Sequence, residues 1–399
     1  MAGYIITLSN EEALRRYARY GVYATQMSVP VGGWYRAHEG TFADYATMKS
    51  GDNVYFFIKR KIYGVGELVA VTGDCKFQNW PDADDYRANS ELQHRDAVLW
   101  DECLPGSPAF EDKEQRWVCT MQPSPFFFAV GVDMDEVLTA DPPAFRMLRA
   151  LERVSFIKID DRENEALRRT IITKNQEALT QPRADLNYFA SESESFHKEL
   201  GNRIHKEYHL KAAGILAGCA DGERLKHEMA LEAGVLYQLS QGDTETTEVL
   251  GNWDYLSHQV VASPFKPVIY MDRMDLFGYS YIPGYSPIQA RYLVGEIKKD
   301  AATTQDVDQL MKYVDWVRVE YCGGDYSMID AILIAKSFPP DVARYAPLNS
   351  QRTYTVGKPA ETRRWERLRL VSYRWNAEEA RLNFRQNGLE QGTLEFDAR

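Results

Sequence analysis

The stretch Tyr292-Leu-Val-Gly-Glu296-Ile-Lys298 has the apolar composition of a buried β-strand, and it ends with an acidic and a basic residue. Residues two apart in a strand point to the same face, so Glu296 and Lys298 lie on one side of the predicted strand. A buried carboxylate beside a buried ammonium is costly unless a metal ion or an anionic substrate joins them. The stretch therefore predicts a functional site as well as a strand.

The segments around this strand predict an α/β (α+β) fold for the C-terminal half. Hydrophobic periodicity favours helices at 223–239 and 304–321 and strands at 259–262, 268–276, 292–298 and 328–335. The order helix, three strands, helix, strand fits a mixed sheet flanked by helices, which the strand at 328–335 would complete.

A second acidic residue precedes this strand in the sequence. Asp275 ends the strand predicted at 268–276, so its carboxylate can meet that of Glu296 on one ion, with the backbone carbonyl of Ile297 as a third ligand. Mg²⁺ suits oxygen ligands, and Mn²⁺ can replace it. Lys298 can orient or help deprotonate an attacking water and contact a phosphate. Asp272 competes with Asp275 for the metal role.

An Asp followed by Glu-x-Lys on consecutive strands resembles the PD-(D/E)XK (restriction-like) nuclease superfamily, over about 223–336. Gln309-x-x-x-Tyr313 on the next helix is similar to the motif of RecB-like nucleases. The whole pattern of acidic residues, lysine and helix motif resembles that of NucS-type endonucleases. The resemblance implies that Gln309 and Tyr313 position the substrate and the lysine. It also implies an upstream helical acid, Glu228 or alternatively Glu232.

Two features of the sequence depart from this family. The gap from Asp275 to Glu296 is longer than usual, and its insert, Tyr281-Ile-Pro-Gly-Tyr-Ser-Pro, predicts no strand. A bland alternative also stays open, in which Glu296 and Lys298 form an ordinary salt bridge on an edge strand.

The N-terminal part, about 3–175, resembles PUA-like domains of the EVE and YTH group. The motifs that carry the resemblance are Tyr4-Ile-Ile-Thr-Leu, Gly21-Val-Tyr23, Gly51-Asp52-Asn-Val-Tyr-Phe-Phe and Ile62-Tyr-Gly-Val-Gly-Glu. The resemblance implies a β-barrel with helices and a pocket for a flipped, often modified, base.

Aromatic side chains could wall such a pocket, because stacking on them restores part of the free energy that a flipped base loses. The candidates are Tyr23, Trp34, Tyr35 and Trp80 as walls, with Ser28 and Asn79 as readers of the base edge. The alternative is that these aromatics fill the core of a small barrel, which for any single one is the commoner outcome.

The bulk composition excludes several classes of protein. A net charge of −11 argues against binding nucleic acid over the whole surface, although a local basic groove is compatible with it. The five cysteines form no Cys-x-x-Cys pair, which argues against a structural zinc site or a disulfide framework. No apolar run could span a membrane, and the N-terminus has no signal-type pattern. We therefore expect a cytoplasmic protein without a membrane partner.

The sequence divides into four predicted segments. These are an EVE/PUA-like base-reader domain at 1–175, a linker and helix at 176–220, a PD-(D/E)XK nuclease domain at 221–345 and a basic extension at 346–399. The extension contains Arg363, Arg364, Arg367 and Arg369. These arginines could contact phosphates, or pair with interspersed glutamates on a solvated helix.

Together these patterns predict a Mg²⁺-dependent DNA endonuclease that is directed by recognition of a modified base, as in modification-dependent restriction or antiphage defence. The expected partner is double-stranded DNA, and the family resemblance implies a homodimer. Two alternatives remain. One is a DNA-repair endonuclease for mismatched or branched DNA, and the other is a non-catalytic nucleic-acid sensor.

Overall fold

A computed structural model describes residues 1–26, 36–79, 116–123, 130–145, 156–177, 190–262 and 272–387. The chain divides into two compact units. The first comprises Met1–Ala220 and Ala233–Ser240, and the second comprises Asp221–Glu232 and Gln241–Arg399. Both contain helices and sheets with parallel and antiparallel pairs, so the predicted α+β class is confirmed.

The first unit contains strands and helices in irregular alternation. Its strands are β1 (Gly3–Thr7), β2 (Val22–Gln26), β3 (Asn53–Ile58), β4 (Lys61–Leu68), β5 (Lys76–Gln78), β6 (Arg116–Pro123), β7 (Val132–Asp133) and β8 (Phe156–Ile159). Its helices are α1 (Glu11–Tyr20), α2 (Arg36–Ala46), α3 (Met134–Ala140), α4 (Asp161–Lys174), α5 (Ala190–Arg203) and α6 (Ala212–Gly218), with a 3₁₀ turn at Lys206–Tyr208.

One eight-stranded sheet organises this unit. The strand order is β2-β6-β4-β3-β1-β8, with β5 also paired to β6 and β7 to β4. The pair β1–β3 is parallel, whereas β1–β8 and β3–β4 are antiparallel. Apolar side chains from the sheet and from α4 form a core that includes Ile5, Tyr55, Ile62, Ile157, Leu167 and Ile171.

Capping residues set where the helices of the first unit begin. Asn10 caps α1 by accepting from the Ala13 N–H at 2.8 Å. Asp160 and Glu163 form a capping box at the start of α4, so two backbone donors that the helix leaves unpaired are satisfied. Helix boundaries in this part of the chain thus follow from local side-chain chemistry.

The second unit contains a mixed sheet of six strands together with strands that form separate two-stranded sheets. Its strands are β10 (Arg224–Leu225), β11 (Tyr255–Ser257), β12 (Val260–Val261), β13 (Arg273–Met274), β14 (Leu276–Tyr281), β15 (Gln289–Ile297), β16 (Ile329–Ala335), β17 (Arg352–Val356), β18 (Glu361–Trp365), β19 (Leu368–Asn376) and β20 (Arg381–Asn387). Strand β9 (Ala220–Asp221) lies at the division between the units. The helices are α7 (Glu228–Ser240), whose residues from Ala233 count with the first unit, α8 (Thr244–Leu250), α9 (Thr304–Glu320) and α10 (Pro340–Asn349).

The strand order of the main sheet is β11-β14-β15-β16-β19-β20. Strand β15 is central in it, since β14 pairs with it antiparallel and β16 pairs with it parallel. The alternative of an ordinary salt bridge placed Glu296 and Lys298 on an edge strand. That placement is wrong, because β15 has a paired strand on each side. Gly295 permits a close approach of β14, because a Cβ atom there would lie 2.8 Å from the Leu276 Cβ.

The sheet also extends beyond the strand that was predicted to complete it. Strand β16 pairs with β19, and β19 pairs with β20, so residues after 346 belong to the same sheet. The helix that was one alternative for the arginine-rich segment is wrong, because Glu361–Trp365 forms β18 and pairs with β17. Helix α7 begins at Glu228, and Arg224–Leu225 before it is extended.

None of the helices within the described ranges combines the length and the apolar composition needed to cross a membrane.

Candidate active site

Glu296 and Lys298 make direct contact at the end of β15. The Lys298 Nζ lies 2.7 Å from Glu296 Oε1, as expected for side chains two residues apart that share one face. The side chain of Glu296 is 1% exposed, whereas that of Lys298 keeps 21% of its surface. The pair is therefore closed on the glutamate side and accessible on the lysine side.

Asp275 joins this pair from the neighbouring strand. It precedes β14, and the register that pairs Leu276 with Gly295 brings it beside Glu296. Its Oδ2 accepts the backbone N–H of Ile297 at 2.9 Å. Desolvation raises the pKa of Asp275 well above its ordinary value, and the charges of Glu232 and Glu296 raise it further. Asp275 thus lies beside Glu232 and Glu296, while Asp272 is exposed.

The helical acid at this cluster is Glu232. Its side chain is 1% exposed, and its charge is one of the causes that raise the pKa of Asp275 and of Glu296. Glu228 lies one turn earlier, is partly exposed, and its charge contributes to raising the pKa of Lys298. Between the two helical acids that the family resemblance suggested, the structure brings Glu232 closer to the carboxylate pair.

Two residues that the sequence analysis did not select connect these carboxylates. The Gln259 Nε2 lies 3.0 Å from Glu232 Oε1, 3.1 Å from Glu232 Oε2 and 3.0 Å from Asp275 Oδ1. His258, which is 2% exposed, places its Nδ1 3.1 Å from Glu232 Oε2. The signal in the sequence is weak: the polar triplet Ser257-His-Gln259 interrupts a run of apolar residues between Tyr255 and Ala262.

The electrostatics of the cluster are unbalanced. Glu232, Asp275 and Glu296 bring three carboxyl groups together, with the Lys298 ammonium as the cation bonded to one of them. Desolvation raises the pKa of Glu296 from 4.5 to about 7, against the lowering effect of Lys298. Glu296 Oε2 is buried and has no hydrogen-bond partner among the described residues. A buried acceptor of this kind is expensive unless a further ligand satisfies it.

Helix α9 carries the predicted Gln309 and Tyr313. The Gln309 Nε2 donates to the Tyr313 hydroxyl at 2.7 Å, which is the contact expected for residues four apart on a helix. Burial raises the pKa of Tyr313, and the charge of Glu296 adds to this effect. Asp306, at the start of the helix, lies 3.9 Å from the Lys298 Nζ and also forms the capping box with Thr303. Both motif residues thus lie on the side of the sheet that carries the cluster.

The chemistry of the side chains fits a hard divalent cation, since carboxylate oxygens are the ligands Mg²⁺ prefers. The buried and unpartnered Oε2 of Glu296 supports this fit. The side chains are nevertheless not arranged as a finished metal site. No group of three or more His, Cys, Asp or Glu side chains in the part of the chain that the structure describes is placed to hold an ion as it stands. The amide of Gln259 lies between Glu232 and Asp275 instead.

The base-pocket candidates fall partly outside the described residues, namely Ser28, Trp34, Tyr35 and Trp80. Tyr23 lies in β2, is 6% exposed and packs edge-to-face against Tyr17 and Phe156 with ring centroids 5.0 and 5.4 Å apart. In this arrangement it offers little surface to a base, and its stacking role stays a prediction.

Asn79 follows β5 and is 7% exposed. Its Oδ1 has no hydrogen-bond partner among the residues that the structure describes. A buried amide oxygen in this state can accept a hydrogen bond from a ligand, which keeps Asn79 a candidate for reading a base.

The C-terminal arginines have protein partners. Arg363 pairs with Glu361 at 3.4 Å, Arg364 pairs with Glu366, and Arg367 donates to the Ser327 carbonyl at 2.9 Å. Burial lowers the pKa of Arg369. Contacts between exposed ion pairs are weak, so they leave the guanidinium groups of Arg363 and Arg364 available to phosphates, whereas Arg369 is less accessible.

Comparisons with known proteins add little to this geometry. No family model and no curated protein matches the chain. A solved structure described as a hypothetical protein from Leishmania major aligns with 11% sequence identity and a TM-score of 0.27, covering 44% of this chain and 97% of that one. A likeness at this level carries no argument about fold or function.

Proposed function

We propose that this protein is a divalent-cation-dependent DNA endonuclease, in which the second unit hydrolyses the phosphodiester and the first unit reads a flipped, modified base. The convergence of Glu232, Asp275 and Glu296 beside Lys298 carries the proposal. Two carboxylates within about 5 Å repel by a few kcal/mol at an effective dielectric constant near 20. A bound cation would remove this repulsion among the three carboxylates.

The cation, Mg²⁺ or Mn²⁺, would be held by Asp275 and Glu296, with Glu232 as the helical acid and the Ile297 carbonyl as a further oxygen. When bound, it would neutralise charge on the phosphate and lower the pKa of an attacking water. The carboxylates of this chain would fix the position of the ion, and the burial of Glu232 and Glu296, each 1% exposed, would hold their side chains in place.

Lys298 contributes charge to this site. Its pKa is raised, chiefly through Glu296, in spite of its partial burial, so the ammonium stays protonated at neutral pH. It can therefore orient the water and stabilise charge that develops on the phosphate, but it does not remove a proton. Gln309 and Tyr313, both on α9, would contact the DNA strand that is cleaved and hold it in position.

The first unit would direct cleavage to a modified base. The unpartnered amide oxygen of Asn79 supports a base-reading role. The proposal includes double-stranded DNA as partner, a homodimer that cuts both strands, a cytoplasmic location and a role in modification-dependent restriction or antiphage defence.

The test is incubation of the purified protein with Mg²⁺ and duplexes that carry no modification, cytosine modifications or adenine modifications. Mismatched and branched duplexes and RNA complete the panel at matched salt. We expect cleavage of one modified duplex. Lys298→Ala should lower the rate by about 10²–10³-fold, with DNA binding retained in fluorescence anisotropy. Lys299→Ala, a neighbouring lysine that pairs with Asp300 at 3.6 Å, is the matched control and should cleave normally.

Other outcomes of this panel have definite meanings. Cleavage that follows mismatches or branches, whatever the modification, supports the repair endonuclease. Binding by the wild type without cleavage under any metal condition supports the sensor. The absence of both binding and cleavage overturns the proposal.

A further inference from the structure

The side chain of Gln259 occupies the space between two carboxylates of the cluster. Its Nε2 contacts both oxygens of Glu232, at 3.0 and 3.1 Å, and Asp275 Oδ1 at 3.0 Å. The amide thus presents its NH₂ end, which can only donate, to the oxygens of these two carboxyl groups. Gln259 thus provides the donor that partly offsets a buried acidic group, Glu232, and a half-buried one, Asp275.

The backbone at Gln259 has an unusual conformation that directs the side chain towards the carboxylates. Its φ of +53° lies in the left-handed region, which residues with a side chain seldom adopt. Gln259 lies between β11 and β12, and β12 pairs with β13, which directly precedes Asp275. Backbone strain of this kind concentrates at functional sites, where the surrounding structure enforces it. Here the strained residue is the one that directs its amide at the carboxylates.

The observed distances match those between adjacent ligands of a hard cation. Mg²⁺ binds oxygens octahedrally at about 2.1 Å, so neighbouring ligand oxygens lie about 3.0 Å apart. The Nε2 of Gln259 lies 3.0 Å from an oxygen of Glu232 and 3.0 Å from one of Asp275. Half a turn about the Cγ–Cδ bond would put Oε1 where Nε2 lies, without any change in the backbone.

A second observation points to an ion at this place. Glu296 is 1% exposed, and its Oε2 has no hydrogen-bond partner among the described residues, although Oε1 is bonded to Lys298. Asp275 lies beside Glu296, since Leu276 pairs with Gly295 in the sheet and Asp275 Oδ2 accepts the backbone N–H of Ile297 at 2.9 Å. An ion bound at Asp275 would give the orphaned oxygen a partner once the side chains rearrange around it.

We propose that Gln259 is itself a ligand of the divalent cation, through its side-chain Oε1, and that its amide turns over when the ion enters. This inference rests on the proposed function, because it assumes that the cluster binds a cation. It makes Gln259 a metal-binding residue. In the alternative, the Gln259 amide only separates the two carboxylates in the metal-free protein, and its side chain has to move away before an ion can bind.

The test is calorimetric titration of Mn²⁺ and Mg²⁺ into the full-length protein and two variants. Gln259→Leu removes the oxygen donor and should weaken Mn²⁺ binding about tenfold or more, the range in which lost metal-site contacts act. Gln259→Glu keeps an oxygen donor at the same distance and should bind Mn²⁺ at least as tightly as the wild type. Gln386→Leu, on the exposed face of β20, is the control for the substitution itself.

The direction of the change separates the possible results. Mn²⁺ binding by Gln259→Leu that is equal to or tighter than that of the wild type overturns the inference, and leaves the proposed function intact if the wild type binds and cleaves. A wild type that binds neither ion overturns the proposed function and this inference together. Thermal melting of each metal-free variant checks that it is folded, and Gln259→Glu keeps the inference testable if Gln259→Leu does not fold.

Discussion

Lys298 satisfies only one of the two carboxylate oxygens of Glu296. Its ammonium lies 2.7 Å from Oε1, whereas Oε2 is buried and has no hydrogen-bond partner among the described residues. Burial therefore outweighs the attraction of the lysine, and the pKa of Glu296 rises from 4.5 to about 7. The carboxyl group thus titrates near neutral pH in the metal-free protein, which links ion binding to pH.

We predict that Mn²⁺ binding strengthens as the pH rises through about 7. The ion needs ionised Glu296, so protons compete with it below this pKa. The metal-free protein should show the opposite trend. A carboxyl whose folded pKa is raised stabilises the fold below its unfolded pKa of 4.5, and this contribution is lost as the pH rises through 7. Thermal melting with and without Mn²⁺ at pH 5.5, 6.5 and 8 measures both effects.

The control for this pH dependence is Glu296→Gln, which cannot titrate at this position. Its metal-free stability should change less between pH 5.5 and 8 than that of the wild type. An increment in melting temperature from Mn²⁺ that is the same at all three pH values in the wild type would contradict the prediction.

Glu232 and Glu228 can be separated by matched substitutions on one helix. Glu232→Gln should weaken Mn²⁺ binding about tenfold or more, because its carboxylate is 1% exposed and shares the Gln259 amide with Asp275. Glu228→Gln should change binding by less than about threefold, since this side chain is partly exposed and one turn away. Calorimetric titration of both variants decides which acid serves the site, and the reverse order of effects would assign Glu228.

His258 is expected to hold Glu232 in place. Its Nδ1 lies 3.1 Å from Glu232 Oε2, and both side chains are buried. His258→Ala removes a partner from a buried carboxylate and should lower the free energy of unfolding by about 1–3 kcal/mol. In urea unfolding, a double-mutant cycle with Glu232→Gln should give a coupling of at least about 0.5 kcal/mol. Additive single-mutant effects would show that the two side chains act independently.

The sequence predicts those parts of the site that local periodicity controls. Glu296 and Lys298 share a face because a strand alternates, and Gln309 contacts Tyr313 because a helix brings residues four apart together. The role of Gln259 cannot be predicted from local periodicity. Its left-handed backbone conformation is imposed by the neighbouring strands and is not one that glutamine prefers.

The remaining differences have a similar origin. The segment Glu361–Trp365 is rich in charged residues, so its composition favours a solvated helix, yet pairing with β17 makes it a strand. Pairing of β16 with β19 joins residues far apart in sequence, which no local pattern encodes. Tertiary pairing thus determines the elements that the sequence leaves undecided.

Gly295 is expected to control the spacing of the two strands that carry Asp275 and Glu296. A Cβ atom at this position would lie 2.8 Å from the Leu276 Cβ, so Gly295→Ala forces β14 and β15 apart. We predict a loss of about 1–3 kcal/mol in the free energy of unfolding, as for other overpacked cores. Gly201→Ala is the control, because a Cβ atom there would make only ordinary contacts, the nearest at 3.5 Å from Val71 Cγ1. Equal stability of Gly295→Ala and the wild type in urea unfolding would show that the strands can yield.

Asn79 offers a test of base reading that is independent of the catalytic cluster. Its Oδ1 is buried without a hydrogen-bond partner among the described residues, so Asn79→Ala removes an unsatisfied acceptor and should cost little stability. If Asn79 reads a base edge, the same change should lower affinity for the preferred modified duplex about tenfold while binding of plain duplex is unchanged, a discrimination of about 1–3 kcal/mol.

Asn53→Ala is the contrasting control, since Asn53 donates to the Gly66 carbonyl at 3.2 Å and accepts from Asn164 at 2.9 Å and should mainly stabilise the fold. Fluorescence anisotropy on both duplexes, with melting temperatures alongside, separates the two roles, and equal loss of affinity for both duplexes in Asn79→Ala would remove Asn79 from base recognition.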